Sequence, residues 1–73
     1  MSTKALLEFD SLTERELEIL HLIADGCSNH EIAEQLVLSI ATVKWYSSEM
    51  FSKLHVTSRT QAVARARELK LLA

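Results

Sequence analysis

Apolar positions in this chain recur with a helical period in four successive stretches, and nowhere do they alternate over a strand's length. In the first stretch Leu17, Leu20, Ile23 and Ala24 share a side. Ile32 and Leu36 do so in the second, and Ala62, Val63, Ala66 and Leu69 in the last. Each stretch opens on a hydroxyl residue suited to an N-cap. Thr13 has Glu16 as capping-box partner and Leu12 against Leu17 as a hydrophobic staple, and Ser28 has Glu31, with Cys27 against Ile32. Ser39 has Thr42 where Glu or Gln is usual, and Ser58 has Gln61. Gly26, the single glycine, stands where a left-handed C-cap closes the first helix, and His55 is expected to close the third the same way. With no proline and no strand signal, the pattern predicts an all-α, four-helix domain over residues 12–73. Residues 1–11 lack a clear period and read as a flexible arm or linker end, from which Leu6, Leu7 and Phe9 dock on the domain.

The third stretch, Ser39 to His55, differs from the others in what it leaves outside. At about 100° per residue, Val43, Ser47, Met50 and Leu54 face inward, flanked by Tyr46 and Phe51, while Lys44, Trp45, Ser48 and Ser52 face outward. A lysine, an aromatic and two hydroxyls on one exposed face have the chemistry to enter a nucleic-acid groove. A solvated face with one stray aromatic is the plain alternative.

Charge sharpens that picture. The net charge of −2 argues against DNA at first sight, but residues 1–40 hold two cations against eight acids and residues 41–73 hold six against two. The halves are therefore −6 and +4, a polarised surface that can face phosphate with its basic side. A chain of 73 residues has little room for an enzyme pocket, and no nucleophile and base share an argued site, so binding is favoured over catalysis and no cofactor is expected. Cys27 and His30 have a C-x-x-H spacing with His21 nearby, but a zinc site needs four ligands and there is no second thiol. A single cysteine and no stretch that reads as a leader or a membrane span make a reducing cytoplasm the expected compartment.

Four fragments in register carry a resemblance: L-T-E-R-E-L-E-I-L, A-D-G-C-S-N-H-E-I-A-E-Q-L, S-I-A-T-V-K and K-L-H-V-T-S-R-T-Q-A-V. Together they resemble the LuxR-type, GerE-like helix-turn-helix domains of bacterial transcriptional regulators. The resemblance implies sequence-specific binding of double-stranded DNA, with residues 31–50 as the helix-turn-helix proper and the third helix in the major groove. It implies a homodimer on a dyad-related site, joined through the fourth helix, and it admits RNA polymerase as a further partner. Where the family often has Gly, Pro and His, this chain has His55, Glu14 and Tyr46. None of those departures touches the reading face.

Carried over position by position, base reading falls on Lys44, Trp45 and Ser48. Phosphate contact falls on Ser28, Asn29, Ser39, Thr42, Lys53, Arg59 and Thr60. Hydroxyls and free N–H groups at helix N-termini suit an anion, and the helix dipole adds to both. Dimerisation is expected of Ala64, Arg67, Glu68 and Leu71, since Ala64 and Leu71 stand seven apart on the face opposite the core stripe. Simpler roles stand beside these. Ser28, Ser39 and Ser58 are caps in any case, the partner of a carboxylate on the first or second helix is the lesser alternative for Arg59, and Arg65 and Arg67 read as solvated or at a dimer edge. At the level of the whole chain, a sigma-factor promoter-reading region and a helical protein-interaction module remain the alternatives.

Overall fold

The computed structural model describes residues 12–72; the arm expected over residues 1–11 lies outside them. Four helices follow one another: α1 Glu14–Ala24, α2 Asn29–Leu36, α3 Ile40–Leu54 and α4 Arg59–Glu68. Among the described residues there is no strand. Each helix begins at the expected cap. The Thr13 and Ser28 side chains accept from the amides of Glu16 and Glu31, whose carboxylates accept from the cap amides in return. Ser39 accepts from the Thr42 amide, and the two hydroxyls bond each other at 2.8 Å, so α3 has its cap without the reciprocal bond that makes a capping box. At α4 the pairing shifts by one residue: Gln61 takes the Thr57 amide and hydroxyl, not the amide of Ser58.

All four helices also end alike. A left-handed residue follows, Gly26, Val37, His55 and Lys70 in turn, and paired backbone bonds such as Cys27 N–H to Leu22 O and Val56 N–H to Phe51 O close the last turn. Gly26 has φ +88° and meets this demand without strain. Val37 does not. Its branched side chain at φ 57° is a conformation that β-branched residues avoid.

The core is one cluster built from α1 and α3, Ile32 and Ala33 of α2, and the small residues Ala62 and Ala66 of α4. Ile19, Leu20, Ile32, Val43, Met50, Ala62 and Ala66 are fully buried, with Ile23 and Leu54 nearly so. The α1 stripe is corrected in one respect: Ile19 is buried, whereas Leu17 and Ala24 are only half-buried. α1 and α3 each pack on all the other helices, and Ala33, Ala62 and Ala66 let their helices approach closely. Burying Leu12, Ile19, Leu20, Ile23, Ile32, Val43, Met50 and Leu54 at roughly 1.5–3 kcal/mol each supplies most of the drive to fold. No described helix is long and apolar enough to cross a membrane.

Among the described residues the buried polar side chains are Glu16 and Ser47, and the first of them has a long-range tie. Glu16, 3% exposed, accepts from the Thr13 amide at 2.8 Å and from the Lys53 ammonium at 2.9 Å through the same oxygen. A capping-box residue thereby also anchors α3 to α1. Ser47 is the opposite case, since its buried hydroxyl has no hydrogen-bond partner.

The turn after α4 overturns one expectation. α4 stops at Glu68, Lys70 turns left-handed, and the Leu71 amide bonds back to the Ala66 carbonyl. Leu71 is therefore not on the outer face of α4, seven residues along from Ala64. It folds back half-buried against the core.

Candidate nucleic-acid interface

The outer face of α3 carries Ile40, Ala41, Lys44, Trp45, Ser48, Glu49 and Ser52, all exposed. Their common side follows from the helical period once Val43, Ser47, Met50 and Leu54 are committed to the core. The three large apolar residues left exposed among the described ones are Val37, Ile40 and Trp45, all in the helix-turn-helix turn or on α3. Trp45 is 59% exposed and stands edge-on to Tyr46 with ring centroids 5.1 Å apart. The indole is thus neither bare nor a lid on the core: one edge leans on Tyr46 and the rest faces out.

Beside α3 runs an open groove lined by Lys44, Ser48, Ser52, Asn29, Thr57 and Arg59. The beginnings of α2 and α4 reach this groove through Asn29 and Arg59, and α3 enters it one turn in, at Lys44. In α2 the capping box occupies the amides of Ser28 and Glu31, which leaves those of Asn29 and His30 without intrahelical partners. In α4 the corresponding pair is Arg59 and Thr60, and in α3 it is Ile40 and Ala41. Unpaired N–H groups and positive dipole ends are what an anion needs.

Arg59 holds this arrangement together. Its guanidinium donates to Asn29 Oδ1 at 3.0 Å and to the Cys27 carbonyl, joining the start of α4 to the start of α2. Neither acceptor is a carboxylate, so the ion pair considered as an alternative role does not form. The positive charge is left uncompensated beside the groove, and the rest of the guanidinium fork is unengaged.

The remaining positions divide. Lys44, Ser48, Ser28, Ser39 and Thr60 are exposed, and Asn29, Thr42 and Arg59 are half-buried. Lys53 stands apart from them, because its ammonium is drawn to Glu16 and its side chain is only 30% exposed. Ala64, Arg67 and Glu68 are exposed on α4, where Arg65 pairs with Glu68 at 3.5 Å. Among the described residues no three His, Cys, Asp or Glu side chains gather at metal-binding range. His21 bonds the Leu17 carbonyl, and the Cys27 thiol accepts from the Gln35 amide. The sequence reading did not single out Glu49 or Thr57. Glu49 is recoverable from the helical wheel, four residues beyond Trp45, whereas Thr57 lies outside any helix and only the fold brings it to the groove.

Comparison with known proteins agrees with this geometry. Residues 10–66 match the family model described as bacterial regulatory proteins, luxR family. The chain is 53% identical over 60 residues to the transcriptional regulatory protein LiaR of Bacillus subtilis, covering 82% of this chain and 28% of that protein. It is 52% identical over 64 residues to the response regulator protein VraR of Staphylococcus aureus, covering 88% of this chain and 31% of that one. Among solved structures it is similar to the response regulator ChrA of a heme-sensing two-component system. The TM-score there is 0.83 at 42% identity, over 85% of this chain and 31% of that one. The chain thus spans less than a third of the length of each of these relatives. Four helices, an outward-facing third helix and a family match over most of the chain converge: it belongs to the luxR family of bacterial regulatory proteins, with the helix-turn-helix fold of a DNA-binding domain.

Proposed function

We propose that the domain reads a specific duplex with α3 in the major groove, Lys44, Trp45 and Ser48 meeting base edges. The observation that carries this reading is the outer face of α3, where Lys44 and Ser48 also line a groove edged by the uncompensated Arg59 guanidinium. Lys44 donates to guanine O6 or N7, Ser48 donates or accepts, and the indole packs on a thymine methyl or the sugar wall. Phosphates are met by Ser28, Asn29, Ser39, Thr42, Arg59 and Thr60, whose hydroxyls, amides and charge fix the register without specifying sequence. Two copies bind a dyad-related site in the cytoplasm, touching through the exposed Ala64, Arg67 and Glu68 of α4. RNA polymerase is a natural further partner of such a complex.

Selection of duplexes from a random pool, followed by titration monitored through Trp45, tests this. Specific DNA should quench the indole and protect it from acrylamide, while Lys44→Ala should lose about 1–3 kcal/mol of specific affinity per half-site with the helical content intact. Sedimentation of the complex should give two chains per palindromic site. Binding that does not weaken with salt, or no binding at all, would return the domain to the protein-interaction alternative.

A further inference from the structure

We propose that Glu49 is a base-reading residue of α3, accepting a hydrogen bond from the exocyclic amino group of a cytosine. This rests on the DNA reading above and extends it to a residue of opposite charge. Glu49 is exposed, follows Ser48 and lies four residues after Trp45, so it shares their outer face. It is the one carboxylate in α3. Its natural neutraliser is Lys53, four residues further on in the favourable Glu-then-Lys order, but that ammonium is held by the buried Glu16 at 2.9 Å. The Glu49 carboxylate has no hydrogen-bond or ion-pair partner among the described residues.

An unneutralised carboxylate on a face turned toward DNA is repelled by phosphate and weakens non-specific binding. It accepts hydrogen bonds only, so phosphate oxygens and sugar-ring oxygens offer it nothing. In the major groove the group that suits it is the cytosine N4 amino, whereas adenine places an acceptor beside its amino group and suits an amide. Glu49 and Lys44 flank the indole from opposite sides, roughly 140° apart around the helix and about 7.5 Å apart along it. That rise is about two base steps of 3.4 Å. Lys44 stands on the groove side with Arg59, and Glu49 does not line that groove. A guanine reader and a cytosine reader thus bracket Trp45.

The test is duplex selection from a random pool by the wild-type chain, Glu49→Gln and Glu49→Ala, with the melting temperature of each recorded. Wild-type sites should carry a cytosine at one position of each half-site. Both variants should melt as the wild type does, keep the other preferences and lose that one by about tenfold or more, with glutamine moving it toward adenine. Glu49→Ala should also bind unrelated duplex more tightly. Identical base preferences in all three proteins, with affinity raised uniformly, would overturn the inference, because the carboxylate would then act only as a general repulsive charge. A wild-type chain that enriches no sequence would fail the DNA reading itself and take this inference with it, before any variant is compared.

Discussion

Replacing Lys53 with methionine tests whether its ammonium serves the fold or DNA. The change keeps most of the aliphatic stem and removes the charge that meets Glu16 at 2.9 Å. Glu16 would be left 3% exposed with only the Thr13 amide as a partner. Removing one member of a fully buried pair costs about 3–5 kcal/mol. Lys53 is 30% exposed, so water reaches the vacated site and the expected loss falls to about 2 kcal/mol. For a domain of this size that is a drop of roughly 8–16 °C in melting temperature. Glu16→Gln keeps an acceptor for the Thr13 amide and should lose about 1 kcal/mol. The double variant should lose less than the sum, by about 1 kcal/mol, because the two side chains share one interaction. Urea unfolding followed by far-UV circular dichroism gives the stabilities, and the salt dependence of DNA affinity gives the second readout. A Lys53→Met variant with wild-type stability and a salt slope reduced by about one per subunit would refute the structural role. It would restore the phosphate contact expected from sequence.

Three further outcomes follow from particular positions. Val37→Asn should raise stability by about 1 kcal/mol, since asparagine tolerates the left-handed conformation and the valine, 89% exposed, has almost no burial to lose; a lowered melting temperature would contradict this. Ser47→Ala should stabilise by about 1 kcal/mol by removing a buried hydroxyl without a partner, and equilibrium unfolding that shows a loss would mean the hydroxyl is satisfied by water. Arg59→Ala should both lower stability by about 1–2 kcal/mol, from its bonds to Asn29 and Cys27, and reduce the salt slope of DNA binding by about one per subunit. A change in stability alone would confine Arg59 to the clamp.

The helices and their ends were legible in the chain because their signals are local. Thr13 with Glu16, Ser28 with Glu31 and Ser39 with Thr42 each settle a helix start through bonds spanning three residues, and the left-handed stops at Gly26 and His55 depend on one residue's backbone. The inward and outward faces of α3 were readable for the same reason, since the helical period decides them once the core stripe is found. What lies far apart in sequence was not. Lys53 and Glu16 are 37 residues apart, and nothing local distinguishes a lysine that turns to a buried carboxylate from one that faces phosphate. Arg59 is 30 residues from Asn29, and its choice of neutral acceptors over a carboxylate depends on how the starts of α2 and α4 meet. Leu71 was misread because a left-handed residue with no glycine to mark it, Lys70, ended the helix's periodicity early. Local hydrogen bonding and periodicity therefore determined the four helices and the face α3 presents. Tertiary packing decided which charges are consumed inside the fold and which, such as Glu49 and Arg59, are left beside the face meant for DNA.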